Sequence, residues 1–339
     1  MTTATITTRL LHGFEDPSFD AAAWQRLLAT GRSDVVFLTR QWQSAWSQSF
    51  HRGDLLLIAA ERDGEVVALA PLFAEAGMIY FVGSDSSDYL DFIGDIGDPE
   101  TLDALLIEAR RRVNDFIGFV FYHVPDDSDT GIRLEQAAAR LGLTIFEEGD
   151  LPAPVLEITR DIGAAEAAAN KKSLLRHERF FSRNGSLTVQ HLTDGQEILA
   201  HLDEFFAQHL ERWSGTPTPS LFKDESHQRF YRNLTRAASH EGWLRFTRLD
   251  WDGRPIAFHF GFCYRGRFLW YKPAFAIDLA RHSPGEVLLR QLLLAAVAEG
   301  AHTFDFGLGD EGFKSRFATR VNHVRNWGLY DPQSLTPRP

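Results

Sequence analysis

The stretch FFAQHLERW sets His209, Arg212 and Trp213 at i, i+3 and i+4 near the end of a predicted helix, so the imidazole lies one turn from both partners. Histidine titrates near neutrality and is the usual group to take a proton from an ammonium nucleophile. His259 is a second candidate base, alternating with Phe258 and Phe260 in an apolar strand, where the competing role is a hydrogen-bonded core histidine. Further on, FDFGLGDEGFKSRFA concentrates Asp305, Asp310, Glu311 and Lys314 at the carboxyl end of a strand, which in an open α/β sheet is where ligands collect. A base, a cationic stabiliser and orienting carboxylates suit group transfer to an amine. The tripeptide Asp305-Phe306-Gly307 does not signal a kinase, because no glycine-rich phosphate loop and no His-Arg-Asp loop accompany it.

Two segments have the residue types of an anion site. In DLARHSPGEVLLRQLLLAAVAEG, Ser283 can cap a helix, Pro284 suits its first turn, Gly285 lets a ligand approach the backbone, and Arg281 with His282 adds positive charge. Free N–H groups and the helix dipole favour a phosphate at such an end. In NKKSLLRHERFFSRNG, Lys171, Lys172, Arg176, Arg179 and Arg183 crowd one predicted helix against a single Glu178. That run reads either as a solvated face or as a wall facing phosphates or acidic lipid headgroups. Asp85, Asp88 and Asp91 read as an aspartate-rich turn, and no His-Glu-x-x-His or paired-cysteine pattern points to a metal.

The elements that must position these groups occur twice. The first half reads as a strand near 4–11, helices near 20–30 and around Trp42 and Trp46, a meander DLLLIAAERDGEVVALAPLFAEAGMIYFVG turning at Asp63-Gly64 and Glu75-Ala76-Gly77, a helix 99–114, the strand FIGFVFYHVP and a helix near 130–141. The second half repeats the order: SLTVQHL, helices near 195–213 and 225–240, the meander WLRFTRLDWDGRPIAFHFGFCYRGRFLWYKPAF, a helix 285–299 and the strand HTFDFGL. RDGEVVALAPLF aligns without gaps on WDGRPIAFHFGF. Between the halves, EEGDLPAPVLEI has the prolines and acidic turn residues of an interdomain passage. The expectation is an α/β (α+β) chain of two tandem domains, 1–152 and 153–339, each a mixed, mostly antiparallel twisted sheet flanked by helices. The first is expected to be structural and the second to bind the substrates.

The chain has 339 residues, 46 acidic and 35 Lys/Arg, for a formal net charge of -11, which argues against a nucleic acid as main partner. One cysteine, Cys263, allows no intrachain disulfide. With no secretory start and no run of about 20 apolar residues, a cytoplasmic location is expected, with contact to the inner membrane face through the helix 171–183.

From about 170 to 318 the chain resembles the BioF2-like, cellulose-biosynthesis-CelD-type acyltransferases of the GNAT and FemAB-like superfamily. KKSLLRHERFFSRNG, FFAQHLERW, DWDGRPIAFHFGF, SPGEVLLRQLLLAAVAEG and FDFGLGDEGFKSRFA follow in order, and FLTRQWQSAWSQSF, VVALAPLF and DSSDYLDFIGD extend the resemblance into the first half. It implies tandem GNAT-type domains and transfer of an acyl group from acyl-CoA, a co-substrate rather than a bound cofactor, to a primary amine by direct attack. Arg281 to Gly285 would hold the pyrophosphate, and Arg212, Trp213, Tyr271, Asp310 and Glu311 the substrates. The tyrosine such enzymes often carry on the last helix, as acid toward the thiolate, is Phe313 here, which leaves that role to Tyr271 or a water. Trp213, Phe222, Phe258, Phe260, Trp270 and Phe275 are expected to wall a cleft for an amphipathic partner, a long acyl donor or a sphingoid amine as in bacterial ceramide synthesis. The alternatives are acetylation of a sugar or small-metabolite amine, aminoacyl transfer from charged tRNA as FemAB-like proteins perform, and a binding module without turnover.

Overall fold

Side-chain caps and left-handed turns place most of the boundaries. In a computed structural model that describes residues 5–335, Asp20, Thr39, Asp98, Asp194 and Asp224 each accept backbone N–H bonds at a helix start, and Pro99 occupies the first turn of its helix. Asp63-Gly64, Ala76-Gly77, Asp252-Gly253 and Arg265-Gly266 all have positive φ at both positions, the type I′ turn whose twist matches antiparallel strands. These four turns fall at corresponding places in the two halves.

The chain forms two compact units, Met1–Pro152 with Asn322–Pro339, and Ala153–Val321. In the first, β1 (Ile6–Leu11), α1 (Ala21–Thr30) and α2 (Arg40–Phe50) precede the meander β2 (Asp54–Arg62), β3 (Glu65–Glu75) and β4 (Met78–Phe81). A two-residue strand, β5 (Ile93–Gly94), pairs with β3. Helix α3 (Pro99–Arg111) crosses to β6 (Gly118–Pro125), which runs parallel to β4. Then come α4 (Thr130–Leu141) and β7 (Thr144–Glu157). Of the aspartate-rich turn, Asp91 is buried and accepts hydrogen bonds from Ser33, Thr130 and the Phe92 amide at 2.6–2.8 Å, a latch that ties three segments.

The second unit contains α5 (Ile162–Ala169), α6 (Lys172–Asn184), β8 (Leu187–Leu192), α7 (Gly195–Arg212), α8 (Glu225–Ala237), β9 (Leu244–Trp251), β10 (Arg254–Tyr264), β11 (Arg267–Phe275), α9 (Pro284–Ala298) and β12 (Thr303–Asp305). Strands β8 to β11 are antiparallel, and α9 crosses to β12, parallel to β11. One face packs on α5, α6 and α9 through Leu174, Phe181, Phe268, Leu288, Leu292 and Phe304. The other carries Phe246, Phe258 and Phe260 against Phe205 of α7 and Tyr231 of α8.

Two expectations are corrected. The stretch 147–158, read as a passage, lies in β7 up to Glu157; its Val155 to Glu157 pair antiparallel with β12, and Pro154 takes part as an acceptor, its carbonyl receiving the Phe306 N–H at 3.0 Å. The second domain does not extend to 339. A last strand, β13 (Arg320–Tyr330), pairs from Val324 to Tyr330 with β6 and from Asn322 on belongs to the first unit, where Arg325 bonds Asp126 and Glu147.

Candidate active site

The chemistry is framed by a place where two parallel strands part. β11 and β12 pair only over Arg267–Leu269 and Thr303–Asp305; β11 continues to Phe275, whereas the chain after Asp305 turns toward β7 and bends through Gly307 and Gly309, both at positive φ. Beyond Leu269 that side of β11 has no strand neighbour among the described residues. Directly there, β11 carries a bulge. Phe262 pairs with Leu269 and Phe260 with Lys272, so Trp270 and Tyr271 stand opposite Gly261 alone.

His259 belongs to this bulge rather than to a proton relay. It is fully buried, its Nε2 accepts the Tyr271 N–H at 3.2 Å, and its ring stacks on Trp270 at 5.6 Å. A Cβ on Gly261 would fall 2.2 Å from that ring. Burial pushes its pKa from 6.5 down to about 3, which keeps the ring neutral. Wholly buried and held neutral among the bulge residues, His259 is corrected from base to bulge latch.

On the other sheet face, the end of α7 meets the far part of β11. His209 is buried, its Nδ1 lies 2.8 Å from Ser220 Oγ, and the edge of Phe222 packs on it at 4.9 Å. Burial first, then Lys272 and Arg212, push its pKa down to about 3. Arg212 stacks over Trp213 at 5.0 Å and over Phe275 at 4.4 Å, while Lys272 lies over the Tyr271 ring at 4.3 Å. His209, Arg212, Trp213 and Tyr271, expected from sequence, are thus brought together, and Lys272 joins them.

Arg212 is electrostatically unlike other half-buried arginines of the second unit. The half-buried Arg248, Arg290 and Arg245 each hold a carboxylate at 2.6–2.9 Å. Arg212 has none within 4 Å among the described residues, and burial alone pulls its pKa below the ordinary value. Beside it the Trp213 indole Nε1 is buried without an acceptor among the described residues. A guanidinium desolvated without a counter-charge is costly unless a ligand brings the anion.

The other expected groups lie elsewhere. Asp305 is buried at the end of β12, accepts the Gly307 N–H at 2.8 Å and pairs with Arg267 at 3.2 Å. Lys314 is buried; its Nζ donates to the carbonyls of Leu308 at 2.6 Å and Gly307 at 3.4 Å and pairs with Glu311 at 2.7 Å, while Asp310 is exposed. Lys314 therefore staples the loop after β12. Lys314→Ala should lower unfolding free energy by about 2–4 kcal/mol, because it strands buried acceptors and opens a void. Urea denaturation followed by circular dichroism checks this; an unchanged midpoint returns Lys314 to a role in turnover.

At the start of α9, Ser283 sits at φ 56 and makes no capping bond, correcting the expected cap. Gly285 faces Phe275, whose ring would be 3.1 Å from an added Cβ. Arg281 Nε donates to His282 Nε2 at 2.8 Å, and His282 stacks on Phe180 at 3.7 Å. The first turn also carries Glu286, paired with Arg316 at 3.0 Å and with His177 at 3.4 Å. That carboxylate already meets the positive end of the helix. Of the six aromatics expected to wall a cleft, Phe222, Phe258 and Phe260 are wholly buried core residues, and Trp270 packs into the core on the opposite face.

Residues 168–315 match the family described as acetyltransferase (GNAT) domain. The fold is of GNAT type, and the match to that family lies in the second half of the chain. Among solved structures, the chain is similar to FemX, with 14% identity, 93% of this chain and 97% of that one covered, and a TM-score of 0.66. It is also similar to the C-terminal domain of a putative lysylphosphatidylglycerol synthetase from Agrobacterium fabrum, with 16% identity, 93% of each chain covered and a TM-score of 0.58. A tandem GNAT protein from the clavulanic acid biosynthesis pathway matches with 13% identity, 98% of this chain and 100% of that one covered, and a TM-score of 0.52. At these identities the likeness establishes the fold alone. A comparison with curated protein sequences finds no match.

Proposed function

We propose that the second unit is an N-acyltransferase that moves an acyl group from an acyl-CoA thioester to a primary amine by direct attack. The observation that carries the reading is the parting of β11 and β12, which pair only over Arg267–Leu269 and Thr303–Asp305 and so diverge in the way that suits an extended, amide-bearing donor lying alongside β11. The ordered motifs shared with BioF2-like, CelD-type acyltransferases support the same reading.

In this reaction the amine lone pair attacks the acyl carbon, the C–S bond breaks, and the thiolate takes up a proton. The amine must arrive uncharged. A histidine with a pKa near 3 is too weak to hold an ammonium proton, so His209 serves as a neutral hydrogen-bonding wall. Arg212 and Lys272 supply the alternative: like charges in a partly desolvated pocket lower the pKa of a bound ammonium and release its proton to water. In this reading Tyr271, beside them at the bulge, returns a proton to the thiolate. Arg212 anchors an anionic group of donor or acceptor.

A second reading, aminoacyl transfer from charged tRNA, is favoured by Glu286, which makes the start of α9 a poor pyrophosphate site. The test is release of free thiol from acetyl-CoA and palmitoyl-CoA across a panel of small, sugar and sphingoid amines, run beside transfer from charged tRNA. CoA release supports the first reading, and the preferred chain length and amine decide between a lipid and a small-metabolite substrate. Transfer from charged tRNA alone overturns it in favour of the second, and turnover of neither leaves a binding module.

A further inference from the structure

The sequence singled out five cations near residues 171–183, and the structure sorts them. Lys171 turns inward, its Nζ over the Phe317 ring at 5.5 Å. Lys172, Arg176, Arg179 and Arg183 are all exposed. Their spacing of i, i+4, i+7 and i+11 puts them on one face of α6, in a row about 17 Å long at 1.5 Å per residue. None has a carboxylate within 4 Å among the described residues, although the chain holds more acids than bases.

The rest of α6 fixes that row in place. Leu174 and Phe181 are buried in the core of the second unit, Phe180 stacks on His282, and Trp251 Nε1 donates to the Phe181 carbonyl at 3.1 Å. Glu178, the one acid of the helix, is turned inward to Arg290 at 2.9 Å and to Gln291. The single charge that would neutralise the row is thus spent on anchoring it. Because the apolar side of α6 is used by the protein's own core, the helix cannot bury that side in a bilayer.

We propose that the outer face of α6 docks the protein on an anionic lipid surface, electrostatically and without insertion. The geometry favours a planar partner. A plane meets one face of the molecule, and acidic groups farther away than the screening length of about 8 Å contribute little repulsion. A nucleic acid wrapping a chain of net charge -11 would meet that acidic surface as well. Basic residues next to an anionic leaflet each strengthen binding by roughly fivefold.

The test is sedimentation of the full chain with phosphatidylcholine vesicles and with phosphatidylglycerol-rich vesicles, at low and high salt. The expected result is binding to the anionic vesicles only, released by salt, and weakened at least a hundredfold in the variant Lys172→Gln, Arg176→Gln, Arg179→Gln, Arg183→Gln. If that variant loses its circular dichroism spectrum, the pair Arg179→Gln, Arg183→Gln replaces it, with a loss of about 25-fold expected. Equal binding to both vesicles, binding to neither, or unaltered binding by the variant overturns the proposal. Tighter binding to bulk tRNA than to anionic vesicles at equal phosphate overturns it in favour of a nucleic acid.

Discussion

Arg212→Gln is expected to raise the KM for the substrate that carries the anion by ten- to hundredfold, while the thermal midpoint stays within the effect of a surface change. The magnitude is that of a lost charge-assisted, partly desolvated hydrogen bond, about 1.5–3 kcal/mol. Stability is spared because Arg212 has no carboxylate to strand; its neighbours are the rings of Trp213 and Phe275, over which a glutamine amide also packs. The mechanism adds a second signature. If Arg212 helps to lower the pKa of the bound ammonium, removing it moves the rising limb of the kcat profile to higher pH, and Arg212→Lys restores the limb better than it restores KM, since lysine keeps the charge but not the planar fork. A KM and a pH profile both equal to those of the parent enzyme would remove Arg212 from the site.

That Arg212 stood out at the sequence level follows from locality. His209, Arg212 and Trp213 sit within one helical turn, and helical spacing alone makes them neighbours. Lys272 and Phe275 complete the same site from a strand about sixty residues away, and no local pattern announces that meeting, although a lone lysine in the apolar run FLWYKPAF was a signal to weigh. Lys314 shows the opposite failure. An ammonium among glycines and carboxylates reads as chemistry by residue type, and only the direction of its Nζ toward the carbonyls of Gly307 and Leu308 reveals a staple.

The fold divides along the same line. Caps such as Asp98-Pro99 and turns such as Asp63-Gly64 act within four residues, and the elements they bound occur where expected. The strand β7 was hidden because Pro152 and Pro154 resemble a linker and its pairing with Thr303–Asp305 is remote. The strand β13 was hidden because RVNHVRNWGLY lacks a clean apolar alternation and its partner, β6, lies some two hundred residues earlier. Glu286 was legible but unweighed: it follows Gly285 directly, and its carboxylate changes what the start of α9 can bind.

The two buried histidines make a prediction that needs no substrate. His209 and His259 both have folded-state pKa values near 3 against an ordinary 6.5, with burial the first cause in each case. Because the folded state holds the neutral rings, the unfolded chain binds more protons as pH falls below 6.5, so the stability these groups contribute is complete above that value and is lost toward pH 3. Each histidine then removes roughly 1.4 kcal/mol per pH unit once well below 6.5, and the pair about 2.5 kcal/mol between pH 7 and 5.5. This window lies above the range in which carboxylates such as Asp16, held down to about 2 by Ser18 and neighbouring backbone N–H groups, begin to protonate. Urea unfolding at pH 7 and at pH 5.5 should therefore show a clear fall in midpoint with an unchanged slope. In His209→Gln, which keeps an amide able to meet Ser220 Oγ, the fall should be about half as large. A midpoint that does not move between the two pH values would mean that one or both rings are protonated or solvent-reached in the folded protein, and with that the account of His259 as the latch of the β11 bulge would fail.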